Sequence, residues 1–128
     1  MKAETGITEG IYLVTPYGEY FQKGEIDAFV KSFRIGKEGQ TFFLCSGKYV
    51  YGIIKLNIIK SITIKEFNTT KPKHKISSFL REIWWGLREP LYYHEFTTIK
   101  VFKSPRQYNN STGVRSVIKN IELNKDVG

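Results

Sequence analysis

Residues 49–67, which read YVYGIIKLNIIKSITIKEF, restrict the fold more than any other part of the chain. They are too rich in isoleucine, and alternate too regularly between apolar and polar side chains, to form a helix. We predict one long strand here, or two, bent near Gly52 and at Ile58–Ile59, where the alternation slips. This run, with the shorter strands predicted around it, indicates a mainly β fold.

Other runs predict five further strands and two helices. The strands are expected at 11–14, 27–34, 41–46, 91–102 and 114–123. The first helix is expected to have Thr15 as its N-cap and Pro16 at its first position, and to stop at Gly24. A second helix, ending near Gly86, follows from apolar residues at helical spacing, namely Ile76, Phe79, Leu80, Ile83, Trp84 and Leu87. The segments 68–75 and 103–113 are predicted as a polar connector and a loop.

Long aromatic strands interrupted by two helices predict an α+β, mostly β class of fold, a small β-barrel with the two helices covering its openings. The length of 128 residues fits a single domain that spans 1–128. The chain has no apolar run near the ~18 residues that a membrane helix needs, and no apolar leader at its N-terminus. We therefore expect a soluble, cytoplasmic protein that does not contact membranes.

Positive charge is concentrated in two parts of the chain. The formal net charge is +8 and the pI is about 9.6. No acidic residue occurs within 40–65 or within 96–121, although both segments carry several lysines or arginines. A field of one sign attracts polyanions, and nucleic acid is the commonest polyanion in cells. Charge that serves only solubility is the alternative explanation.

Three segments of the chain resemble an ASCH domain, a branch of the PUA-like β-barrel superfamily. They are TPYGEYFQKGEIDAFVK, GKYVYGIIKLNIIKSI and LYYHEFTTIKVFKSP, and together they cover most of the chain. The resemblance implies a PUA-like barrel with a cleft that binds RNA or related ligands. The family signature is roughly GxKxxExR, and when it is laid on Gly24 it places Ile26 at the lysine, Phe29 at the glutamate and Lys31 at the arginine. Family members that act as hydrolases or nucleases use this lysine, so Ile26 argues against inherited catalysis, whereas the resemblance still implies inherited binding in the cleft.

The strand that follows Gly24 places a cation among aromatic residues. Lys31 shares a strand face with Phe29 and Phe33, which predicts a lysine at the rim of an aromatic cleft, where it would hold a phosphate or a base edge. The alternative is a lysine whose aliphatic stem packs along core phenylalanines. The residues predicted to line the cleft are Tyr17, Lys23, Phe29 and Tyr92.

The two adjacent tryptophans receive different predictions. Trp84 lies on the apolar stripe of its helix and is predicted to be buried. Trp85 lies about 100° further round, on the side of Arg81 and Arg88, and is predicted to be an exposed platform for base stacking between two phosphate contacts. Packing of Trp85 beneath the next loop is the alternative. The full set of predicted nucleic-acid contacts is Lys31, Arg34, Arg81, Trp85, Arg88 and Arg106, the last on the predicted loop.

Signals for chemistry beyond binding are weak. The sequence contains no nucleophile motif, no glycine-rich phosphate loop and no metal-ligand spacing, and Cys45 is predicted to be a small buried apolar residue. We predict no catalytic residue, metal or cofactor. The leading function is binding of RNA or single-stranded DNA. The alternatives are a small hydrolase that acts on RNA or modified nucleosides through Glu25, Asp27 or Glu95, and a protein–protein adaptor.

Overall fold

The sheet of this protein is mixed and strongly curled. A computed structural model describes residues 7–14, 17–107, 117–118 and 121. Its strands are β1 (Gly10–Tyr12), β2 (Ala28–Lys31), β3 (Thr41–Ser46), β4 (Tyr49–Ile62), β5 (Leu91–Gln107) and β6 (Val117–Ile118). Their order across the sheet is β2-β5-β4-β3-β1-β6, and only the β1–β3 pair is parallel. The sheet forms a half-barrel, so the predicted α+β, mostly β class is confirmed.

Strand β4 is the long bent strand that the isoleucine-rich run predicts. Its pairing with β5 slips at three places, between Val50 and Gly52, between Ile53 and Ile54, and between Leu56 and Ile58. Each slip bends a strand and increases its twist, which lets one sheet curl around a core. Both predicted bends are confirmed.

The structure has more helices than the sequence pattern predicts. Within the described residues they are α1 (Tyr17–Gln22), α2 (Ile64–Thr69), α3 (Lys71–His74) and α4 (Ser78–Trp85). Helix α1 ends as predicted, with Gly24 at a φ of 74°, whereas its predicted cap at Thr15 and Pro16 lies outside the described residues. None of the described helices is long and apolar enough to span a membrane.

Helices α2 and α3 correct the prediction for this part of the chain, which assigned strand up to Phe67 and a polar connector after it. The Thr63 hydroxyl accepts a hydrogen bond from the Glu66 backbone N–H at 3.2 Å, and the Glu66 carboxylate accepts one from the Thr63 N–H at 3.0 Å. This reciprocal capping box starts a helix where the alternating pattern of β4 still continues. The Thr-x-x-Glu signal is visible in the sequence, but it lies within the alternating run, which by itself favours a strand.

Two apolar clusters lie against the sheet. The larger cluster lies against the helices and includes Phe21, Phe29, Phe42, Leu56 and Phe67. The second contains Phe43, Cys45, Val50, Ile53, Phe102, Ile118 and Ile121. Cys45 is a buried free thiol, as predicted. Since adjacent residues of a strand point to opposite sides of a sheet, the two clusters occupy opposite faces of β3.

Gly52 leaves no room for a side chain where β4 bends. A methyl group at this position would lie 2.2 Å from the carbonyl oxygen of Lys100 and 2.8 Å from the Phe21 ring. The carbonyl belongs to the paired strand and cannot rotate away. We expect Gly52→Ala to lower the free energy of unfolding by about 3 kcal/mol, the upper end of the usual cost of overpacking, measured by urea denaturation. Gly39→Ala, where an added methyl meets nothing within 4 Å, should cost only about 1 kcal/mol for its positive φ, and equal losses would contradict the packing argument.

Candidate functional site: a cleft at the open side of the barrel

Curling of the sheet brings the edge strand β2 close to β1 and to the residues that follow β1. Lys31, the last residue of β2, bridges the gap by donating a hydrogen bond from Nζ to the carbonyl oxygen of Tyr12 at 2.7 Å. A cleft of about 210 Å³ opens beside this bridge. Its walls are mainly apolar and aromatic, with Tyr17, Ile26, Phe29, Phe33, Trp84 and Trp85 among the lining residues.

Lys31 is the only lysine or arginine among the described residues that line the cleft. Its side chain is half-buried, and burial lowers its pKa to about 8. The amino group is therefore mostly protonated at pH 7 and loses its charge in a range where ordinary lysines keep theirs. Because the Tyr12 carbonyl occupies only one of its three N–H donors, the others can serve a ligand.

The aromatic residues of the cleft touch one another and leave an exposed rim. The ring centroids of Tyr17 and Trp84 are 6.4 Å apart, and those of Trp84 and Trp85 are 5.5 Å apart, both in edge-to-face geometry. Trp84 is 38% exposed and Phe33 is 47% exposed, and both line the cleft. The rim therefore presents aromatic surface to which a planar ligand can stack.

The prediction that Trp84 is buried and Trp85 exposed is wrong. Trp85 is partly buried against the larger apolar cluster, and its ring meets Phe67 edge-to-face at 6.4 Å. Only part of the predicted core stripe is buried: Ile76 and Leu80 pack in or against the larger cluster, whereas Phe79 is 70% exposed and Ile83 is 61% exposed. Helix α4 packs through Leu80, Arg81 and Trp85. Its periodicity marks it as amphipathic, but the side that meets the core is rotated from the apolar stripe.

Arg81 also has a different role from the predicted phosphate contact. It is buried, and its Nη1 donates a hydrogen bond to the carbonyl oxygen of Gly86 at 2.7 Å. Its guanidinium carbon lies 5.9 Å from the centroid of the Phe67 ring. Both contacts turn the cation inward, where it ties down the last turn of α4 and cannot meet a phosphate on the surface.

The other predicted residues divide into those at the cleft and those away from it. Tyr17, Phe29 and Lys31 line the cleft. Arg34 is exposed and follows the rim residue Phe33 within three positions of Lys31.

Besides Arg34 and Arg81, four predicted residues lie outside the lining of the cleft. Lys23 is exposed in the turn after α1, and Tyr92 lies on β5, directly opposite Lys31 of β2. Arg88 is exposed beyond the end of α4. Arg106 belongs to β5 rather than to a loop, and its guanidinium carbon lies 5.3 Å from the centroid of the Phe102 ring, in the second apolar cluster.

His74 is a residue of the cleft wall that the sequence prediction missed. Its Nδ1 accepts a hydrogen bond from the Ile76 backbone N–H at 3.0 Å, and its Nε2 lies 3.1 Å from the carbonyl oxygen of Phe67. Burial lowers its pKa to about 4, so the ring is neutral near pH 7. Because both nitrogens already have partners, His74 supports the wall and does not offer a free acid or base.

Carboxylates are missing from the described lining of the cleft. The Glu95 carboxylate instead accepts a hydrogen bond from the Tyr93 hydroxyl at 3.0 Å and lies 3.5 Å from Lys73 Nζ. Within the described ranges, no three His, Cys, Asp or Glu side chains come together as metal ligands. Ile26, at the position of the signature lysine, is buried in the cleft wall.

Comparison with known proteins identifies the fold. No protein-family model matches the sequence, and no curated protein matches it. Among solved structures, the crystal structure of ASCH from Zymomonas mobilis aligns with a TM-score of 0.70 at 12% identity, over 87% of this chain and 85% of that chain. A mutant of the Zymomonas mobilis protein aligns with a TM-score of 0.68 at 10% identity, over 77% of this chain and 72% of that chain. The chain described here therefore has the fold of an ASCH domain.

Proposed function

We propose that this protein is a nucleic-acid-binding module that holds single-stranded RNA or DNA at the cleft. The observation that carries the proposal is a cleft with aromatic walls that opens beside the contact between β2 and β1. Among the described residues that line it, Lys31 is the only lysine or arginine. The net charge of +8 supplies long-range attraction for a polyanion. Bases stack on aromatic faces while cations meet the backbone in this mode of binding.

The dimensions of the cleft suit one base rather than a whole nucleotide chain. Pockets that enclose drug-sized ligands usually measure about 300–1,000 Å³, and this cleft measures about 210 Å³. One base would stack on Trp84 or Phe33 at the rim. The backbone would remain outside, where Lys31 and the exposed Arg34 meet its phosphates.

The lining of the cleft favours binding over the hydrolase alternative. General acid–base catalysis needs a group within hydrogen-bond reach of the reacting atoms. The three acids considered for this role, Glu25, Asp27 and Glu95, are absent from the described lining, and Ile26 has no titratable group. His74 is committed to backbone partners.

Replacement of Trp84 tests the proposal. We expect Trp84→Ala to weaken binding of a short single-stranded oligonucleotide by about 1–3 kcal/mol, the usual loss for one stacked base, with no change in net charge. Fluorescence anisotropy over a salt series measures the effect. Phe79→Ala is the matched control, because Phe79 is an exposed aromatic residue of the same helix that does not line the cleft. Equal effects of the two variants would place the site elsewhere, and cleavage of the oligonucleotide would restore the hydrolase alternative.

Lys31 adds a second measurement to the same titration. Lys31→Met should reduce the slope of log K against log salt by about 0.7, the value for one phosphate contact to a single strand. Because the pKa of Lys31 is about 8, its contribution to binding should fall as the pH rises above that value. The affinities of the wild type and the variant should therefore converge as the pH rises from 7 to 9, since Lys31 loses its proton while other lysines keep theirs.

A further inference from the structure

A second group of cations lies on the face of the sheet that carries the smaller apolar cluster. Lys100 is paired with Ile53, and Arg106 is paired with Val50, both members of that cluster. Residues directly opposite each other on paired strands share a face. Lys55 is two positions from Ile53 on β4 and therefore points the same way. We call Lys55, Lys100 and Arg106 the back-face cations.

The ring of Phe102 holds two of these cations in place. Lys100 Nζ lies 5.8 Å and the Arg106 guanidinium carbon 5.3 Å from its centroid. The Phe102 ring is buried in the second cluster, and both cationic residues are exposed. Cation–π contacts therefore fix two positive charges beside one ring, with their heads at the surface.

Polar groups extend this charged surface across three strands. Lys55 lies directly between Thr41 on β3 and Thr97 on β5, and all three residues are exposed. The Thr97 hydroxyl oxygen accepts a hydrogen bond from Asn57 Nδ2 at 2.6 Å, which leaves its own proton free to be donated. Threonine hydroxyls and cationic side chains are typical contacts of phosphate oxygens.

The length of this surface favours an extended ligand over a single phosphate ion. Val50, opposite Arg106, and Lys55 are five positions apart on β4, which corresponds to about 16 Å at about 3.3 Å per residue. One phosphate ion cannot span that distance, whereas a phosphodiester chain can. Phe43 and Ile53, two apolar residues of this face, are buried, so they cannot serve as the apolar anchors with which a protein inserts into a membrane surface.

We propose that the back-face cations bind the phosphate backbone of a nucleic-acid strand that continues beyond the cleft. This inference rests on the proposed function and extends it: the cleft takes a base, and the back face takes phosphates of the flanking chain without reading its sequence. Binding must then depend on the length of the strand. A strand of about four nucleotides is long enough to place one base in the cleft, and one of about sixteen nucleotides is expected to reach the back face as well.

The test compares these two strands on the double variant Lys55→Gln with Arg106→Gln. For the longer strand we expect a loss of affinity on the order of tenfold at low salt and a salt slope reduced by about 1.4, which is 0.7 for each of two contacts. For the shorter strand we expect an unchanged affinity. Lys65→Gln with Lys71→Gln is the charge-matched control, because both lysines are exposed on α2 and α3, away from this face.

Several outcomes would contradict the proposed binding at the back face. Equal losses for both strands, or a loss no larger than that of the control variant, would show a general effect of charge and overturn the inference. If the double variant unfolds, the single variant Lys55→Gln carries the test, since Lys55 is exposed, and its expected slope change is about 0.7. Binding to vesicles of phosphatidylcholine and phosphatidylserine in equal parts that falls in the variant, with oligonucleotide binding unchanged, would assign the surface to membranes instead.

The cleft and the back face fail in different ways. If Trp84→Ala has no effect and only the longer strand binds in a manner that depends on Lys55 and Arg106, the cleft proposal fails and the back face stands. If the short strand binds through Trp84 and the double variant behaves as wild type with both strands, only the back face is overturned.

Discussion

Replacement of Phe67 with alanine is expected to lower the free energy of unfolding by about 3–5 kcal/mol, the usual cost of removing a buried phenylalanine. Phe67 is completely buried where α2, α3 and α4 meet. Its ring lies 4.5 Å from the His74 ring, 6.4 Å from the Trp85 ring and 5.9 Å from the Arg81 guanidinium carbon. Without it, the buried arginine loses its aromatic partner and the cavity lies directly behind the wall of the cleft.

Phe79→Ala is the control for this prediction. It removes the same atoms from the same group of helices, but Phe79 is 70% exposed. Its effect should stay within about 0.5 kcal/mol, as for most surface substitutions. Urea denaturation of both variants provides the measurement. A loss at Phe79 as large as that at Phe67 would mean that α4 buries its apolar stripe after all.

Acidification from pH 7 to pH 5 is expected to remove about 4 kcal/mol of stability, through two buried histidines. His94 accepts a hydrogen bond at Nε2 from the Ile35 backbone N–H at 3.0 Å, and His74 accepts one at Nδ1 from the Ile76 N–H. A proton added to either acceptor nitrogen would face an N–H group that also carries a proton. Burial is the main cause that lowers the pKa of each ring to about 4.

The direction of this change in stability follows from the difference in proton uptake between the unfolded and the folded state. The unfolded chain binds protons at its histidines near pH 6.5, whereas the folded chain does so only near pH 4, so the unfolded state holds more protons between these values. Stability from this source is fully present above about pH 7 and is lost as the pH falls. Each histidine contributes about 2 kcal/mol between pH 7 and pH 5, and ordinary carboxylates titrate mainly below that range.

Urea denaturation at several pH values tests the acid effect, with His74→Gln and His94→Gln as variants. Each variant should lose about half of the pH dependence, whatever its stability at pH 7. Stability that stays constant from pH 7 to pH 5 in the wild type would contradict the neutral, buried state of both rings. His94 also stacks on Phe29 with centroids 4.5 Å apart, so its protonation should disturb the cleft as well.

The cleft was predictable as far as it depends on neighbouring residues of one strand. The alternation of β2 places Lys31 on the same side as Phe29, and Gly24 ends α1 because its φ is positive. The pairing of β2 with the rest of the sheet, and the approach of Lys31 to the Tyr12 carbonyl, depend on curling of the whole sheet. The spacing of residues along the sequence gives no information about the distance between two strands that meet only when the sheet curls.

The sequence by itself determined the local elements: the long bent β4, the exact extent of β3 at Thr41–Ser46, and the stop of α1 at Gly24. Backbone sterics and a period of two act over a few residues, so a single stretch carries the whole signal. Only the tertiary structure decided which side of α4 is buried. Periodicity identifies an apolar stripe, but the side of a helix that becomes buried is the side that packs well against its neighbours. Here Arg81 and Trp85 pack against Phe67, while Phe79 remains exposed.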